Sequence, residues 1–199
     1  MKYIRTVIIF CLLGLLVPHA GGPMAASLVA LSLEGLVSYS DIAVIGKPES
    51  IKTHRDRRGK IVRSVTFEVD EYVTGHGENT ITIRLQGGTM GDVAQYVPGE
   101  VKLTMGETFL LFLESVNGEG AGVFLVSGMA QGRFNVVTYE KNGERFVTRT
   151  QGDLNLIGQP HDNDYYGLAK PQTSTFVPLG EFVKAIQDIA RRVPKVKAP

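Results

Sequence analysis

The sequence predicts a mainly β fold: a small antiparallel barrel with a short N-terminal helix and a C-terminal amphipathic helix. Three observations support this prediction. Short segments alternate apolar and polar residues, turns rich in glycine and asparagine separate those segments, and a helical apolar stripe occupies the region after Pro178. About seven strands joined mostly by short turns follow from this pattern.

The first two dozen residues have the pattern of a secretory signal peptide, with Ala25 or Ala26 as the last residue removed. Lys2 and Arg5 precede an apolar run from Val7 to Val17, and small, turn-forming residues follow. This run is shorter than the roughly 20 residues that a membrane-spanning helix needs. We therefore expect cleavage, no stable membrane span afterwards, and a periplasmic or extracellular protein.

Cleavage would leave a mature chain without cysteine, because Cys11 is the sole cysteine and lies in the apolar run. Such a chain offers no disulfide, no thiolate metal site and no cysteine nucleophile. Two of the 21 basic residues would also be lost, so that 19 would remain against 20 acidic residues. This balance does not indicate a general polyanion-binding protein.

The first half of the mature chain predicts one helix and three strands. Ser32–Ser40 favours a short helix with its first serine as the N-cap, and Ile42–Ile45 begins an apolar strand. The charged stretch His54–Lys60 predicts a hairpin tip. Val65–Val69 and Ile81–Leu85 alternate apolar and polar residues, which predicts two half-buried strands forming an antiparallel hairpin.

The second half predicts the core and another hairpin. Phe109–Leu113 is apolar on both faces and should be the most buried strand, with Val123–Val126 beside it across an Asn-Gly turn. Arg133–Tyr139 and Arg145–Thr148 flank a second Asn-Gly pair, a strong hairpin signal. A further short strand is predicted at Val101–Leu103.

The C-terminal region predicts a surface loop followed by a helix. Gly152–Thr175 is rich in Pro, Gly, Asn and Asp without periodicity, and a helix beginning at Pro178 has its apolar residues on one stripe. We expect this helix to pack on the open side or end of the barrel. The predicted organisation is a signal peptide (1–26), a barrel domain (27–150), a loop or linker (151–176), a C-terminal helix (177–194) and a tail (195–199).

The sequence offers no catalytic or cofactor-binding constellation. After export its imidazoles are His54, His76 and His161; none lies in a catalytic motif, and the first two fall in turns where histidines are ordinarily solvent-exposed. We therefore expect a protein that is not an enzyme and that has no cofactor.

Asp162 and Asp164 could offer oxygen ligands to Ca²⁺. Counted from Asp162, Gly167 occupies the sixth position of a calcium loop, but Thr173 stands where a bidentate acid is needed at the twelfth. A turn-forming acidic loop is the better interpretation, and we expect no metal site.

Arg55–Lys60 is a cluster of charged residues, four of them cationic, that could contact anionic lipid, polysaccharide or nucleic acid. Charged hairpin tips are common, however, and no aromatic residues for base stacking are interleaved. We therefore expect no nucleic-acid partner.

The glycine-rich stretch from Gly87 to Pro98 is a candidate protein-binding loop. It lacks the Gly-Lys-Ser/Thr ending of a phosphate-binding loop. Binding residues often lie on loops held by a rigid scaffold, so we interpret Thr89, Asp92, Gln95 and Tyr96 as a recognition rim.

The order of several motifs resembles that of a group of uncharacterised exported bacterial proteins over roughly Leu31 to Val137. The motifs are Leu33–Val37, Asp41–Gly46, Thr66–Val69, Gly87–Thr89, Gly106–Glu107, Leu110–Leu113 and Gln131–Phe134. More remotely, the chain is similar to the netrin-like OB barrel of tissue inhibitors of metalloproteinases, which implies an OB-like barrel suited to binding a protein. Those inhibitors chelate zinc through an N-terminal cysteine and are braced by disulfides, and neither feature carries over to this chain.

These observations lead to one favoured function and one alternative. We expect an exported, non-enzymatic domain that binds another exported protein, with a secreted protease as one candidate partner. The alternative is a structural or accessory component of a surface or extracellular assembly. The sequence leaves the oligomeric state open.

Overall fold

The computed structural model describes residues 26–116, 118, 122–149, 154–157 and 176–196. Helices α1 (Leu33–Tyr39) and α2 (Leu179–Arg192) and a 3-10 turn at Met129–Gly132 accompany the strands. The strands are β1 (Ala26–Val29), β2 (Ile42–Arg55), β3 (Ile61–Thr74), β4 (Thr80–Gln86), β5 (Gly88–Met90), β6 (Val93–Gln95), β7 (Thr108–Ser115), β8 (Val123–Val126), β9 (Arg133–Thr138), β10 (Arg145–Thr148), β11 (Leu154–Ile157) and β12 (Val177–Pro178). The predicted mainly β fold with two helices is confirmed. Residues 1–25 of the predicted signal peptide (1–26) and the predicted loop around Asp162 and Asp164 lie outside these residues.

Five strands form a closed ring in the order β2, β3, β4, β8, β7 and back to β2. Neighbours in the ring are antiparallel except β4 and β8, which run parallel through Thr82↔Val123 and Ile83↔Phe124. An odd number of strands cannot alternate in direction all the way round a ring, so one parallel pair is unavoidable. The ring is a small, mainly antiparallel barrel, as the sequence predicts, with this one departure from a purely antiparallel arrangement.

The barrel interior is filled by every second side chain of its strands, as alternating strands require. Phe67 of β3, Ile83 of β4, and Phe109 and Leu111 of β7 are among its fully buried members. Two residues of the predicted strand Val101–Leu103 also enter this core.

The prediction of a strand at Val101–Leu103 was wrong. The backbone carbonyls of this segment accept hydrogen bonds from arginine side chains instead of from a neighbouring strand: Arg63 Nη2 donates to Val101 O at 3.4 Å, and Arg133 Nη1 donates to Lys102 O at 2.7 Å. The segment is thus buried by its apolar side chains without forming a sheet ladder.

A second apolar core lies outside the ring, between the sheet and both helices. Leu110 and Phe112 of β7 face outward into it, which confirms that β7 is buried on both faces. Helix α2 contributes Leu179, Phe182, Ile186 and Ile189, which are its buried residues and fall on the predicted stripe. The helix therefore covers one outer side of the barrel.

The sheet continues beyond the ring from β7 through β9 and β10 to β12. β9 and β10 form the hairpin that the second Asn-Gly pair predicts. Leu154–Ile157 forms β11, which pairs in parallel with β1. The prediction of a loop without secondary structure was therefore wrong at these four residues. So short a strand, paired with a segment more than 100 residues away, has too few residues for its sequence pattern to predict it.

Candidate binding groove

The β2–β3 hairpin tip is organised by one carboxylate, that of Asp56. Asp56 Oδ1 accepts hydrogen bonds from the backbone amides of Arg58 and Lys60, both at 2.9 Å, and the Asp56 amide donates to Lys60 O at 2.9 Å. Gly59 adopts the left-handed conformation at φ +75°, and Arg55 Nη1 donates to its carbonyl at 2.7 Å. The predicted charged tip is confirmed and is an ordered turn.

The hydrogen bond from the Lys60 amide holds the pKa of Asp56 below its usual value of 3.8. The hydrogen bond from the Arg58 amide and the positive charges of Lys60 and Arg84 lower this pKa further, while desolvation opposes them. Arg84 lies on β4, so the charge of the barrel wall acts on the hairpin tip. The two elements thus share one electrostatic environment.

Between the tip and the barrel lies a groove of about 1070 Å³, which we call the basic groove. The outward-facing residues Ser64 of β3 and Thr82, Arg84 and Gln86 of β4 line its floor. The hairpin tip lines one side, and Val116, Gly118 and Val123 around the β7–β8 connection line another. The tip and the residue before it contribute His54, Arg55, Asp56, Arg57, Arg58 and Lys60. Val62, Gln95 and Val97 also line the groove.

The charge of the basic groove is strongly one-sided. Among the residues that the structure describes, Arg84 and the four cationic residues of the tip line it against a single carboxylate, Asp56, in a chain whose total formal charge is +1. Within the part of the chain that the structure describes, Arg57 and Lys60 have no carboxylate at ion-pairing distance. Among the described residues that line the groove there is no Phe, Tyr or Trp, and His54 carries an imidazole. The arrangement attracts an anion, but these residues offer no phenyl, phenol or indole ring on which bases could stack.

The sequence-predicted rim residues lie on a β-hairpin beside the basic groove, not on an irregular loop. β5 and β6 pair through Thr89↔Ala94 and Met90↔Val93, and Gly91, at φ +60°, and Asp92 form the turn between them. Glycine at the first central position is what two-residue type II′ hairpins favour. The glycines in this stretch therefore allow a tight hairpin.

The four predicted rim residues have different surroundings. Gln95 Oε1 accepts a hydrogen bond from the Ile61 amide at 3.0 Å, so this side chain ties the hairpin to β3 as well as lining the groove. Thr89, Gln95 and the exposed Tyr96 line a smaller cavity of about 260 Å³. Asp92 is exposed at the turn and does not line this cavity. The structure thus brings three of the four together next to the groove.

Sequence reasoning missed Arg84 and Gln86, which line the groove floor. Their outward position on β4 follows from the alternation Ile81, Ile83, Leu85. What the alternation does not show is that this part of β4 faces the Arg55–Lys60 tip, because that depends on the long β2–β3 hairpin and on how the ring closes. One sequence signal could have indicated Arg84. It lies on the polar face of β4, and β4 pairs with β3, the strand that directly follows the charged tip.

His54 lines the basic groove and His76 lies in the β3–β4 turn; both are exposed. Among the residues whose structure is described, no group of three or more His, Cys, Asp or Glu side chains could hold a metal ion. Across those same residues, no helix is long and apolar enough to cross a membrane. No protein-family model and no curated protein matches the sequence.

Proposed function

We propose that this protein is an exported, non-enzymatic binding domain whose basic groove takes an acidic segment of another protein. The observation that carries the proposal is the convergence of five cationic side chains on a single concave surface, against one carboxylate among the described lining residues. A complementary acidic ligand would be steered to this surface and held by charge-assisted hydrogen bonds. Export is supported by the signal-peptide pattern of the first 26 residues.

The groove fits an extended polypeptide better than a nucleic acid. OB-type barrels bind extended ligands on the face of their second and third strands, between the loops that flank it, and β3 and β4 are the second and third strands of the ring in chain order. Oligonucleotide ligands stack their bases on aromatic side chains, and the described lining of this groove has no Phe, Tyr or Trp. Its floor instead offers the hydroxyls of Ser64 and Thr82 and the amide of Gln86.

This proposal retains the expected protein binding, but its main contact surface is the basic groove and not the rim on the β5–β6 hairpin. The β5–β6 hairpin forms one border of the groove through Gln95 and Val97. Tyr96 stands beside it, exposed over 61 % of its surface. A partner seated in the groove would therefore reach this hairpin as well.

The test is binding of a fluorescent glutamate-rich peptide to the purified protein at several salt concentrations. We expect the affinity to fall steeply with salt and to drop about tenfold or more when Arg57→Glu and Lys60→Glu are combined, because reversed charges repel the peptide. The matched control combines Lys141→Glu and Lys184→Glu, which change the net charge equally at exposed positions outside the groove.

Equal weakening by both double variants would overturn the groove assignment, since net charge alone would then explain binding. Single-stranded DNA or a sulfated polysaccharide binding more tightly than the peptide would assign the groove to that polymer instead. Neither double variant should lower the free energy of unfolding by more than about 0.5 kcal/mol, because exposed charges contribute little to stability.

A further inference from the structure

A second cavity, of about 470 Å³, adjoins the basic groove on the outer side of the barrel. Arg84 and Gln86 line both spaces, so the two lie next to each other at the end of β4. In contrast to the groove, this cavity is walled mainly by apolar side chains. They are Leu28, Val29, Leu31, Leu125, Val126 and Met129.

The wall formed by the N-terminal segment is held in place by Gln131. This side chain is 1 % exposed, and its Oε1 accepts a hydrogen bond from the Leu31 amide at 2.8 Å. Its Nε2 donates to the Val29 carbonyl at 3.1 Å. A buried amide that satisfies backbone groups on both sides fixes the segment across the cavity. The cavity is thus formed before any ligand arrives.

Two carboxylates lie in the cavity wall. The carboxylate of Glu100 accepts hydrogen bonds from the backbone amides of Gln86 at 2.6 Å and Val101 at 2.8 Å. Burial raises the pKa of Glu114, and the nearby charge of Asp41 raises it further. An anionic group would be repelled by both carboxylates, so it belongs in the groove and the apolar part of a ligand belongs in the cavity.

We infer that this cavity is an anchor pocket for one bulky apolar side chain carried by the acidic segment that the groove binds. The inference rests on the proposed function, because the ligand is the acidic segment in the groove, which shares Arg84 and Gln86 with this cavity. A leucine beside glutamates would place its side chain against Leu125 and Met129 and its neighbouring carboxylates near Arg84. The groove then supplies attraction to acidic segments in general, and the anchor pocket selects among them.

The experiment compares two peptides that differ only in one central residue, leucine or alanine, between glutamates. With the unaltered protein we expect the leucine peptide to bind about tenfold more tightly, the effect of filling an apolar pocket. Leu125→Asn keeps the size of the side chain but makes this wall polar, and it should bring the two affinities within about twofold of each other. Val137→Asn, at an exposed site on β9, is the matched control and should keep the tenfold preference.

The combination of Arg57→Glu and Lys60→Glu distinguishes binding by the basic groove from selection by the anchor pocket. It should weaken both peptides equally and leave their ratio unchanged. Equal affinity of the two peptides for the unaltered protein, with salt-sensitive binding retained, would overturn the anchor pocket and leave the groove assignment intact. Absence of binding by both peptides would overturn both. Displacement of the leucine peptide by the fatty acid laurate at lower concentration would show a lipid pocket and overturn the inference.

Thermal unfolding checks that Leu125→Asn folds. Should it not fold, Met129→Gln replaces it, because this change alters a partly exposed side chain and keeps its length. The expected narrowing of the leucine-to-alanine ratio is the same. A variant that folds and retains the full tenfold preference would count against the pocket.

Discussion

Two outer faces of the same barrel have opposite chemistry. On the face covered by the helices, β7 presents Leu110 and Phe112, both fully buried. On the face of the basic groove, β4 presents Thr82, Arg84 and Gln86, all partly exposed. The two strands fill the interior in the same way, so only their outward residues distinguish the faces.

This difference shows how the sequence decides which side of a barrel is covered. A strand that is apolar at every position needs a second layer, whereas an alternating strand can face water or a ligand. Helix α2 supplies the second layer for β7, with Phe182 packed on Phe134 at a ring-centroid distance of 5.0 Å. The outward side of β4 at Arg84 instead lines the basic groove, and that face can therefore serve binding.

Removing the centre of the covered face should have the largest effect on stability. Phe182→Ala deletes a ring that is 1 % exposed and that packs on Phe134, which in turn packs edge-on against Phe112. We expect a loss of about 3–5 kcal/mol in the free energy of unfolding, the usual cost of such a cavity. Urea unfolding followed by circular dichroism measures it.

Lys184→Ala on the exposed side of α2 is the control and should change the free energy of unfolding by less than about 0.5 kcal/mol. Equal effects of the two substitutions would show that α2 does not pack on the barrel in solution. Peptide binding at the groove, measured where Phe182→Ala is still folded, should be unchanged, because Phe182 does not line the groove.

A smaller loss is expected where β2 bends. At Gly46 the β2–β3 register shifts, and a Cβ atom there would lie 2.0 Å from Glu68 O and 2.8 Å from Phe67 Cε1. Gly46→Ala should therefore cost about 1–3 kcal/mol through overpacking. Gly180→Ala in α2 meets no atom within 4 Å and should be neutral or stabilising by up to about 1 kcal/mol. If Gly46→Ala and Gly180→Ala changed the thermal unfolding midpoint equally, the close approach of other atoms to Gly46 would be contradicted.

Much of the fold could be predicted because its signals are local. Ser32 caps α1, with its Oγ accepting from the Gly35 amide at 3.1 Å, and α2 is amphipathic along its length. The doubly apolar Phe109–Leu113 segment indicated the buried strand β7. Pairings between distant segments could not be predicted in this way. The parallel β4–β8 contact depends on ring closure, and the backbone at Val101 is satisfied by the side chain of Arg63.

The candidate site could be predicted only in fragments. The cationic tip and the Gln95–Tyr96 stretch were each recognisable, but as a common hairpin tip and as a separate rim. The structure places Arg84 and Gln86 beside both segments, so that we interpret them together as parts of one binding surface. This proximity depends on the three-dimensional arrangement of β2, β3 and β4. The anchor pocket left no sequence signal, because its walls come from β1, β8 and the 3-10 turn.

The smallest expected effect concerns the hairpin tip of the groove face. The pKa of Asp56 is held below 3.8, chiefly by the Lys60 amide, so its charged form is favoured by folding. Because the folded pKa is the lower one, this contribution to stability is complete above the unfolded pKa and is lost as the pH falls through the folded pKa. A carboxyl NMR titration should place the Asp56 midpoint below 3.8.

Asp56→Asn tests the same contact through stability. Asparagine keeps an oxygen that can accept from the Arg58 and Lys60 amides but cannot titrate. The stability difference between the unaltered protein and the variant should therefore shrink as the pH is lowered from about 5 to about 2. An Asp56 midpoint at or above 3.8, with a pH-independent difference, would mean that the amides of the tip do not hold the carboxylate in solution. The cations of the groove would then lack the fixed turn that presents them, and their convergence with Arg84 would have to come from the β2–β3 strands alone.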